Sequence, residues 1–383
     1  MKSTEEKNIQ TESKKKKAGR NFFNNFAMFF NHIAAIGLLI SYFAPYVSPE
    51  NFWFLAFFGL AYPVFVILNI LFVIYWAGQL KRRMFYSLII ILCGWAHIWE
   101  YGQINFNNTP DKSKKTIKIM SYNVRLFDLY NWSNKIGTRN KMLELISDES
   151  PDIMCLQEFS TGDSTSTQFN NLDTLKKNQK IKNSYVEYTS TLRKNNHYGV
   201  AIFSAFPIVG NGKIIFDNNS NNVCIYSDIK INKDTVRVYN VHLQSIHLVH
   251  DDYKFMDDIM NNKETEELEK SKNILKRIKR AFIKRSIQTE LVAEHIAKSP
   301  YPVIVCGDFN DPPASYTYHT ISKDLEDAFV ESGNGFGRTY AGKFPSFRID
   351  YILHSNIYKA YDFRTIREEL SDHFPVCCYL ERQ

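Results

Sequence analysis

The chain has 383 residues, a mass of 44.7 kDa, 44% hydrophobic and 15% aromatic residues, and a formal net charge of +7. That composition excludes a disordered, collagenous or disulfide-scaffold chain, and the length exceeds what one core usually occupies, so two or three units are expected. The mean hydropathy of −0.30 would suit a wholly soluble protein, but it averages over a sharp split. No Asp, Glu, Lys or Arg occurs over 21–49, 51–80 or 84–99. The first hundred residues carry ten basic against five acidic side chains, and the rest carry 37 against 35. The positive excess therefore flanks apolar segments, where it is a topology signal, rather than coating a nucleic-acid-binding body.

A basic tail, 1–20, leads into a transmembrane region over 21–103. About 20 apolar residues cross the hydrocarbon core, and the expected spans are 26–46, 54–76 and 84–101. The third run holds only 16 uncharged residues; it crosses if Arg82 and Arg83 snorkel at one end and Tyr101 sits at the other interface. Trp53, Trp76, Trp95 and Trp99 near the run ends fit interfacial aromatics. A cleavable signal peptide is a poor alternative, since further apolar runs follow and no clear small-residue cleavage site appears. Lys14, Lys15, Lys16, Lys17 and Arg20 precede the first run, and Lys81, Arg82 and Arg83 separate the second from the third. The positive-inside rule puts both clusters in the cytoplasm, so three spans deliver the remainder to the outer face of the cytoplasmic membrane. If the third run only lies on the surface, the remainder is cytoplasmic instead. His32 and His97 fall in runs without acidic residues and read as packed or interfacial side chains rather than ligands.

A polar linker, 104–115, precedes 116–383, long enough for one large domain. Short β-branched runs at 117–124, 153–157, 199–204, 223–231, 235–243, 303–306, 348–353 and 375–380 alternate with helical windows at 140–148 and 284–298. That mix predicts an α/β or α+β fold, with sheets packed against helices. No fixed-period repeat is evident, and Asn/Ser/Thr-rich stretches at 161–174 and 217–222 read as loops. A basic helical insertion is expected over about 244–284. Ile274, Ile278 and Phe282 share one helical face there, while Lys270, Lys272, Lys276, Arg277, Lys279, Arg280, Lys284 and Arg285 crowd the rest. The insertion is either a solvated helix with its stripe on the core, or a basic amphipathic element that touches anionic lipid or guides a phosphate substrate. The six cysteines show no C-x-x-C pair and no framework spacing, and read as buried free thiols.

Polar groups gather at strand ends. Asn123 closes the first β run, Gln157 and Glu158 close the second, Asn240 and His242 fall in Tyr-Asn-Val-His-Leu, and Gly-Asp-Phe-Asn-Asp at 307–311 follows an apolar strand. Asp350 sits in Arg-Ile-Asp-Tyr-Ile-Leu, and Ser-Asp-His-Phe-Pro at 371–375 precedes the last run. Asp308 with Asn310 alone is an ordinary Asx turn, but six strand ends carrying carboxylates, amides and imidazoles are hard to explain by turns. Phosphate-ester hydrolysis wants such a set. A hard divalent cation sits on oxygen ligands such as Glu158, a carboxylate orients or deprotonates water, and imidazoles hold developing charge or protonate the leaving oxygen. Without a Cys/His cluster at zinc spacing, the expected ion is Mg2+, with Mn2+ or Ca2+ as substitutes. Asp311 reads as a turn residue, and His247 and His250 as surface groups.

On these residues the sequence resembles the endonuclease/exonuclease/phosphatase superfamily, which includes deoxyribonuclease I, abasic-site exonucleases, neutral sphingomyelinases and inositol polyphosphate 5-phosphatases. The resemblance covers about 116 to 380 in the family's motif order. It implies a four-layer α/β sandwich of two β-sheets flanked by helices, preceded here by an all-α transmembrane region outside the resemblance. It also implies Asn123, Glu158 and Asp372 as metal-side residues, Asp308 as the group activating water, and Asn310 as its phosphate-positioning neighbour. His242 would be the leaving-group acid, and Asp350 the partner that orients His373. Arg125 departs from the aspartate of the abasic-site branch and is closer to the deoxyribonuclease I pattern. Tyr198, Gly199, Thr339 and Arg348 fit family positions as structural residues. The leading expectation is a membrane-anchored, Mg2+-dependent phosphoesterase acting on a phosphodiester or phosphomonoester. Its expected partners are the lipid bilayer and a phospholipid or other phosphorylated small molecule, with no obligate protein partner. A tethered DNA or RNA endonuclease is the alternative, and a non-catalytic membrane scaffold a third.

Overall fold

The computed structural model describes residues 2–106, 109–110, 115–162, 169–178, 181–192, 195–216, 221–246, 267–342 and 348–383, without the side chains of 2–18, 178, 192 and 267–270. Parts of the expected linker and loops (111–114, 163–168 and 217–220), His247 and His250, and 247–266 of the basic insertion lie outside the described residues.

Helix α1 (Lys2–Ser41) carries the basic tail and most of the first apolar run as one rod. It stops before Pro45, which cannot donate to the next helical turn and sits in a short 3-10 turn, Ala44–Tyr46. There follow α2 (Pro49–Phe52), α3 (Phe54–Leu60), α4 (Tyr62–Gly78), α5 (Met84–Cys93) and α6 (Trp95–Trp99). The second apolar run is not one straight helix. α3 and α4 meet at Ala61 with a bend of 58°, and Pro63 in the first turn of α4 lacks the N–H that would continue α3. Among the described residues, Gly19–Tyr46 is long and apolar enough to cross a bilayer, and the bent pair adds a second only as one broken span. Met84–Cys93 is shorter. Buried amides tie these helices together: Trp76 Nε1 donates to Asn31 Oδ1 at 2.9 Å, Asn31 Nδ2 to Ser87 Oγ at 2.6 Å, and Asn69 Nδ2 to the Ala34 carbonyl at 3.0 Å. His32 meets the Tyr86 hydroxyl and His97 stacks on Tyr42.

After a short β1 (Gly102–Gln103), two six-stranded sheets form. One comprises β2 (Thr116–Asn123), β3 (Ile153–Gly162), β4 (Asn183–Leu192), β5 (Asn196–Ser204), β13 (Tyr358–Thr365) and β14 (Val376–Arg382), ordered β13-β14-β2-β3-β5-β4. The other comprises β6 (Ile208–Ile214), β7 (Val223–Ile231), β8 (Asp234–His242), β9 (Val303–Asp308), β10 (Glu326–Asp327) and β12 (Asp350–His354), ordered β10-β12-β9-β8-β7-β6. β1 pairs with β11 (Gly335–Phe336) apart from both. In the six-stranded sheets β2 with β3 and β8 with β9 are parallel, and the other pairs are antiparallel.

Strand alternation builds the layers. Ile117 and Ile119 of β2 face Ile304 and Cys306 of β9 between the sheets. Met120 and Tyr122 point outward onto Met142 and Ile146 of α7 (Thr138–Glu149), beside α8 (Asn171–Asn178). Val303 and Val305 point the other way, onto Val292 of α9 (Glu267–Ala297) and Tyr318 of α10 (Tyr316–Ile321). The result is the expected four-layer sandwich, helix–sheet–sheet–helix. Five cysteines are buried free thiols, and Cys93 is a free, exposed one.

Two local departures from regular strand aim the polar ends. β3 does not stop at Glu158, as the sequence pattern suggested; it runs on to Gly162 across a bulge between Leu156 and Phe159, with Glu158 at φ 47°. Asn240 of β8, fully buried, reaches across from the other sheet. Its amide donates to the carbonyls of Leu156 and Ala201, both at 2.9 Å, and accepts from Gln157 Nε2 at 2.7 Å. On the facing strand, Gly307 at φ 149° precedes Asp308, and an added Cβ would lie 2.0 Å from the Val241 carbonyl oxygen; only glycine lets β9 approach β8 so closely. Replacing Asn240 by Leu takes a side-chain donor from two buried carbonyls and one acceptor from Gln157, whose amide keeps Ser121 Oγ at 3.2 Å, and is expected to cost about 3 kcal/mol, read from denaturant midpoints at unchanged slope. A loss under about 0.5 kcal/mol would show that the bridge does not hold the bulge.

Candidate active site

The parallel and antiparallel pairings of β9 set the first three groups side by side. Asp308 lies in register with His242 of β8 and with Asp350 of β12, and residues in register on neighbouring strands share a face. From the other sheet come Asn123, at the end of β2, and Glu158, turned by its bulge. Asn123 joins the halves: its Nδ2 donates to Asp308 Oδ2 at 3.0 Å and to Glu158 Oε1 at 3.3 Å. His373 arrives on the loop before β14, which is pinned to β2 because Ser371 Oγ donates to the Asn123 carbonyl at 2.9 Å. Its Nδ1 lies 2.9 Å from Asp350 Oδ2, and its Nε2 3.6 Å from Asp308 Oδ2. His242 Nε2 is 3.8 Å from Glu158 Oε1. Six of the eight residues singled out in the sequence thus form one cluster.

The other two sit differently. Asp372 is at the rim, with Oδ2 3.2 Å from Arg125 Nε, and that guanidinium covers the exposed Trp132 ring at 4.9 Å. Asn310, at φ 55°, donates its backbone N–H to Asp308 Oδ1 at 2.9 Å and its Nδ2 to the Leu243 carbonyl at 3.0 Å. In this structure it fastens the turn after Asp308 to the strand that carries His242. Of the residues read as structural, Thr339 accepts the Ile349 and Asp350 N–H groups at 2.9 and 3.0 Å, and Arg348 pairs with Asp327 at 2.6 Å.

Two contributors carry no site role in the sequence pattern. Asn240 reads there only as a polar strand-end residue. The Arg285–Asp311 ion pair, 2.8 Å and buried, ties α9 to the turn after Asn310; Asp311 had read as a mere turn residue and Arg285 as part of the charged face. A signal existed, since Arg285 lies three and seven residues beyond Phe282 and Ile278, on their apolar stripe, where a cation demands a partner.

The charges are coupled. Burial raises the Asp308 carboxyl above the usual carboxylate range, with Asp350 adding to the push against the opposing charge of His373. Burial and Asp372 raise Glu158 likewise. For His373 burial acts downward, but Asp350 and Asp308 outweigh it and hold the imidazole well above the usual histidine range. Side-chain atoms of Asp308, Asp350 and His373 lie within 4.8 Å of one another, and Glu158 is bridged to them through Asn123. A knot of crowded carboxylates, raised chiefly by burial, fits a hard divalent ion with oxygen donors.

Because the folded pKa of His373 lies above its ordinary value near about 6.5, the imidazolium's contribution to stability is complete below that pH and fades as pH climbs through the raised value. In chelated protein, the stability difference between wild type and His373→Asn should therefore shrink from about pH 6 into the alkaline range. A difference that widens with pH contradicts the Asp350–His373–Asp308 arrangement.

A family model described as the endonuclease/exonuclease/phosphatase family matches residues 120–373, and one described as a domain of unknown function matches 24–101. No curated protein matches the chain. Among solved structures, an endonuclease/exonuclease/phosphatase from Beutenbergia cavernae superposes with a TM-score of 0.50 at 14% identity, over 70% of this chain and 72% of its own. The human Nocturnin catalytic domain gives 0.49 at 18%, over 70% and 95%. A Bacteroides thetaiotaomicron mannosyl-6-phosphatase gives 0.45 at 18%, over 69% and 99%. At 14% identity the likeness to the Beutenbergia cavernae structure is one of fold. The family match spans well over half of the sequence and takes in every residue of the cluster, and by it the chain belongs to the endonuclease/exonuclease/phosphatase family, a family of phosphate-ester hydrolases.

Proposed function

We propose that this protein is a divalent-cation-dependent phosphoesterase held at the cytoplasmic membrane by its amino-terminal helices, with a phospholipid or another phosphorylated small molecule as substrate. The reading rests on the shared amide of Asn123, which brings the carboxylate of Glu158 and the acid–base group Asp308 within reach of one phosphate. Glu158, Asn123 and Asp372 are the residues assigned to the ion, Mg2+ by preference and Mn2+ or Ca2+ as substitutes; Asn123 would have to offer its Oδ1, which here accepts the Arg125 N–H at 3.1 Å, and the Arg125 guanidinium competes for Asp372. When bound, the ion offsets non-bridging phosphate charge. Asp308, its pKa raised, accepts a proton from the attacking water. Protonated His373, fixed by Asp350, donates to the oxygen on which charge develops. His242 protonates the leaving oxygen, and Asn310 keeps the Asp308 turn beside it.

The helical region supports the membrane reading. Tyr75 meets Asn24 at 3.1 Å and Arg83 covers Trp76 at 5.1 Å, so the tail side of α1 and the 81–83 loop share one end of the bundle. Tyr42, Tyr62 and Tyr101 cluster at the other end, where the catalytic domain begins. Positive charge at the first end favours the cytoplasm there and the outer face for the catalytic domain. The half of α9 nearest Trp53 exposes Lys272, Lys276, Arg277 and Arg280, and Lys279 lies over the Trp53 ring at 4.7 Å, which suits a surface of anionic headgroups.

Purified protein assayed on sphingomyelin, phosphoinositides, p-nitrophenyl esters and plasmid DNA should turn over a lipid or small ester, lose that activity to chelator and regain it with Mg2+. Glu158→Gln and Asp308→Asn should each lower kcat at least about 100-fold without loss of fold. Preferential cleavage of DNA, with affinity falling steeply as salt rises, would replace the lipid reading with a tethered endonuclease; no turnover of any substrate would favour a scaffold. In intact spheroplasts, external protease should degrade the catalytic domain, and its protection would reverse the orientation.

A further inference from the structure

The helical region does more than adjoin the catalytic domain. Its apolar core of Ala35, Leu38, Tyr62, Ile90 and Ile91 includes Ala314, a residue of the catalytic domain only four positions after Asn310. Gly59 of α3 meets Ala314 backbone to backbone: a Cβ built on Gly59 would fall 2.3 Å from the Ala314 carbonyl oxygen and 2.8 Å from Ala44 Cβ. From the end of the last apolar run, the Tyr101 hydroxyl accepts the Ala314 N–H at 3.2 Å. Between Ala314 and Asn310 stand Pro312 and Pro313, whose fixed φ leaves the turn little freedom to absorb a displacement, and Asp311.

Asp311 is held from a second direction by the same region. Its carboxylate pairs with buried Arg285, whose Nε also donates to the Gln244 carbonyl at 2.8 Å, two residues beyond His242. Helix α9, which carries Arg285, rests on the helical region through Phe282 against Phe57 at 5.1 Å, Lys279 over Trp53, and Ser48 Oγ donating to Glu290 Oε1 at 3.3 Å. A third tie reaches the other side of the site: Arg348, two residues before Asp350, donates to the Glu100 carbonyl at 2.9 Å.

We propose that the amino-terminal helical region is a positioning element of the active site, with Gly59 and Tyr101 holding Ala314 and, through the Pro312–Pro313 strut and Asp311, the turn that carries Asp308 and Asn310. This rests on Asp308 being the group that acts on water. The region then sets kcat whether or not the substrate is a lipid, because a reacting group displaced by about 1 Å can lose on the order of 100-fold in rate.

The test uses the full chain in detergent with a soluble p-nitrophenyl phosphodiester, so that access to lipid plays no part. Gly59→Val should lower kcat about 10- to 100-fold with KM changed less than about twofold. Gly78→Val, the same change where a Cβ meets nothing within 4 Å, should leave kcat at the wild-type value. Tyr101→Phe, which removes one hydroxyl and little packing, should lower kcat severalfold at constant KM and speed hydrogen exchange of the Ala314 amide; it decides the matter if Gly59→Val does not fold. Wild-type kcat in folded Gly59→Val and in Tyr101→Phe, with Asp308→Asn inactive in parallel, overturns this inference alone. Full activity in Asp308→Asn overturns the assignment of the site and this inference with it.

Discussion

Asp308 and Asp350 are carboxylates almost wholly withdrawn from water, and an isolated buried charge costs several kcal/mol or more. What makes their burial tolerable is a short chain of polar contacts: Asn123 donates to Asp308 and Glu158, while His373 sits between Asp308 and Asp350. Burial still raises Asp308 and Glu158 above the usual carboxylate range. Buried carboxylates crowded in this way are the kind of surroundings that a divalent ion and the developing charge of a phosphoryl group, as proposed above, would stabilise.

The sandwich supplies the geometry. Two sheets facing one another bring strand ends from distant parts of the chain to a common edge, and two local distortions choose which side chains point there. The bulge at Glu158 turns that carboxylate out of the regular alternation, and Asn240 from the opposite sheet satisfies carbonyls beside it. The close approach at Gly307 brings Asp308 beside His242. Aiming thus depends on backbone irregularity held by buried hydrogen bonds, an arrangement that couples site geometry to stability.

Much of this was legible in the residues. Short apolar runs with Asn, Glu, His or Asp at or near one end marked β2, β3, β8, β9 and β12, and the motif order carried the four layers. β4 and β13 escaped because their sequences, Asn-Ser-Tyr-Val-Glu-Tyr-Thr-Ser-Thr-Leu and Tyr-Lys-Ala-Tyr-Asp-Phe-Arg-Thr, are half-polar edge strands whose pairing comes from their neighbours. The bend at Ala61 was foreshadowed by Pro63, yet an apolar run looks continuous in composition whatever its backbone does. The bridge made by Asn240 and the partner of Arg285 depend on which elements pack together, which local pattern does not encode.

The helical region and the sandwich share a core at Ala314, so the two pack directly against one another. The proposed function requires residues from both sheets to converge on a divalent ion beside Asp308 and His373. Anomalous diffraction from crystals grown with Mn2+ tests that most directly. The account predicts a strong peak within bonding distance, about 2.0 to 2.6 Å, of a Glu158 carboxylate oxygen and close to Asp308. A fully occupied ion bound elsewhere, with Glu158 and Asp308 untouched at saturating Mn2+, would contradict it.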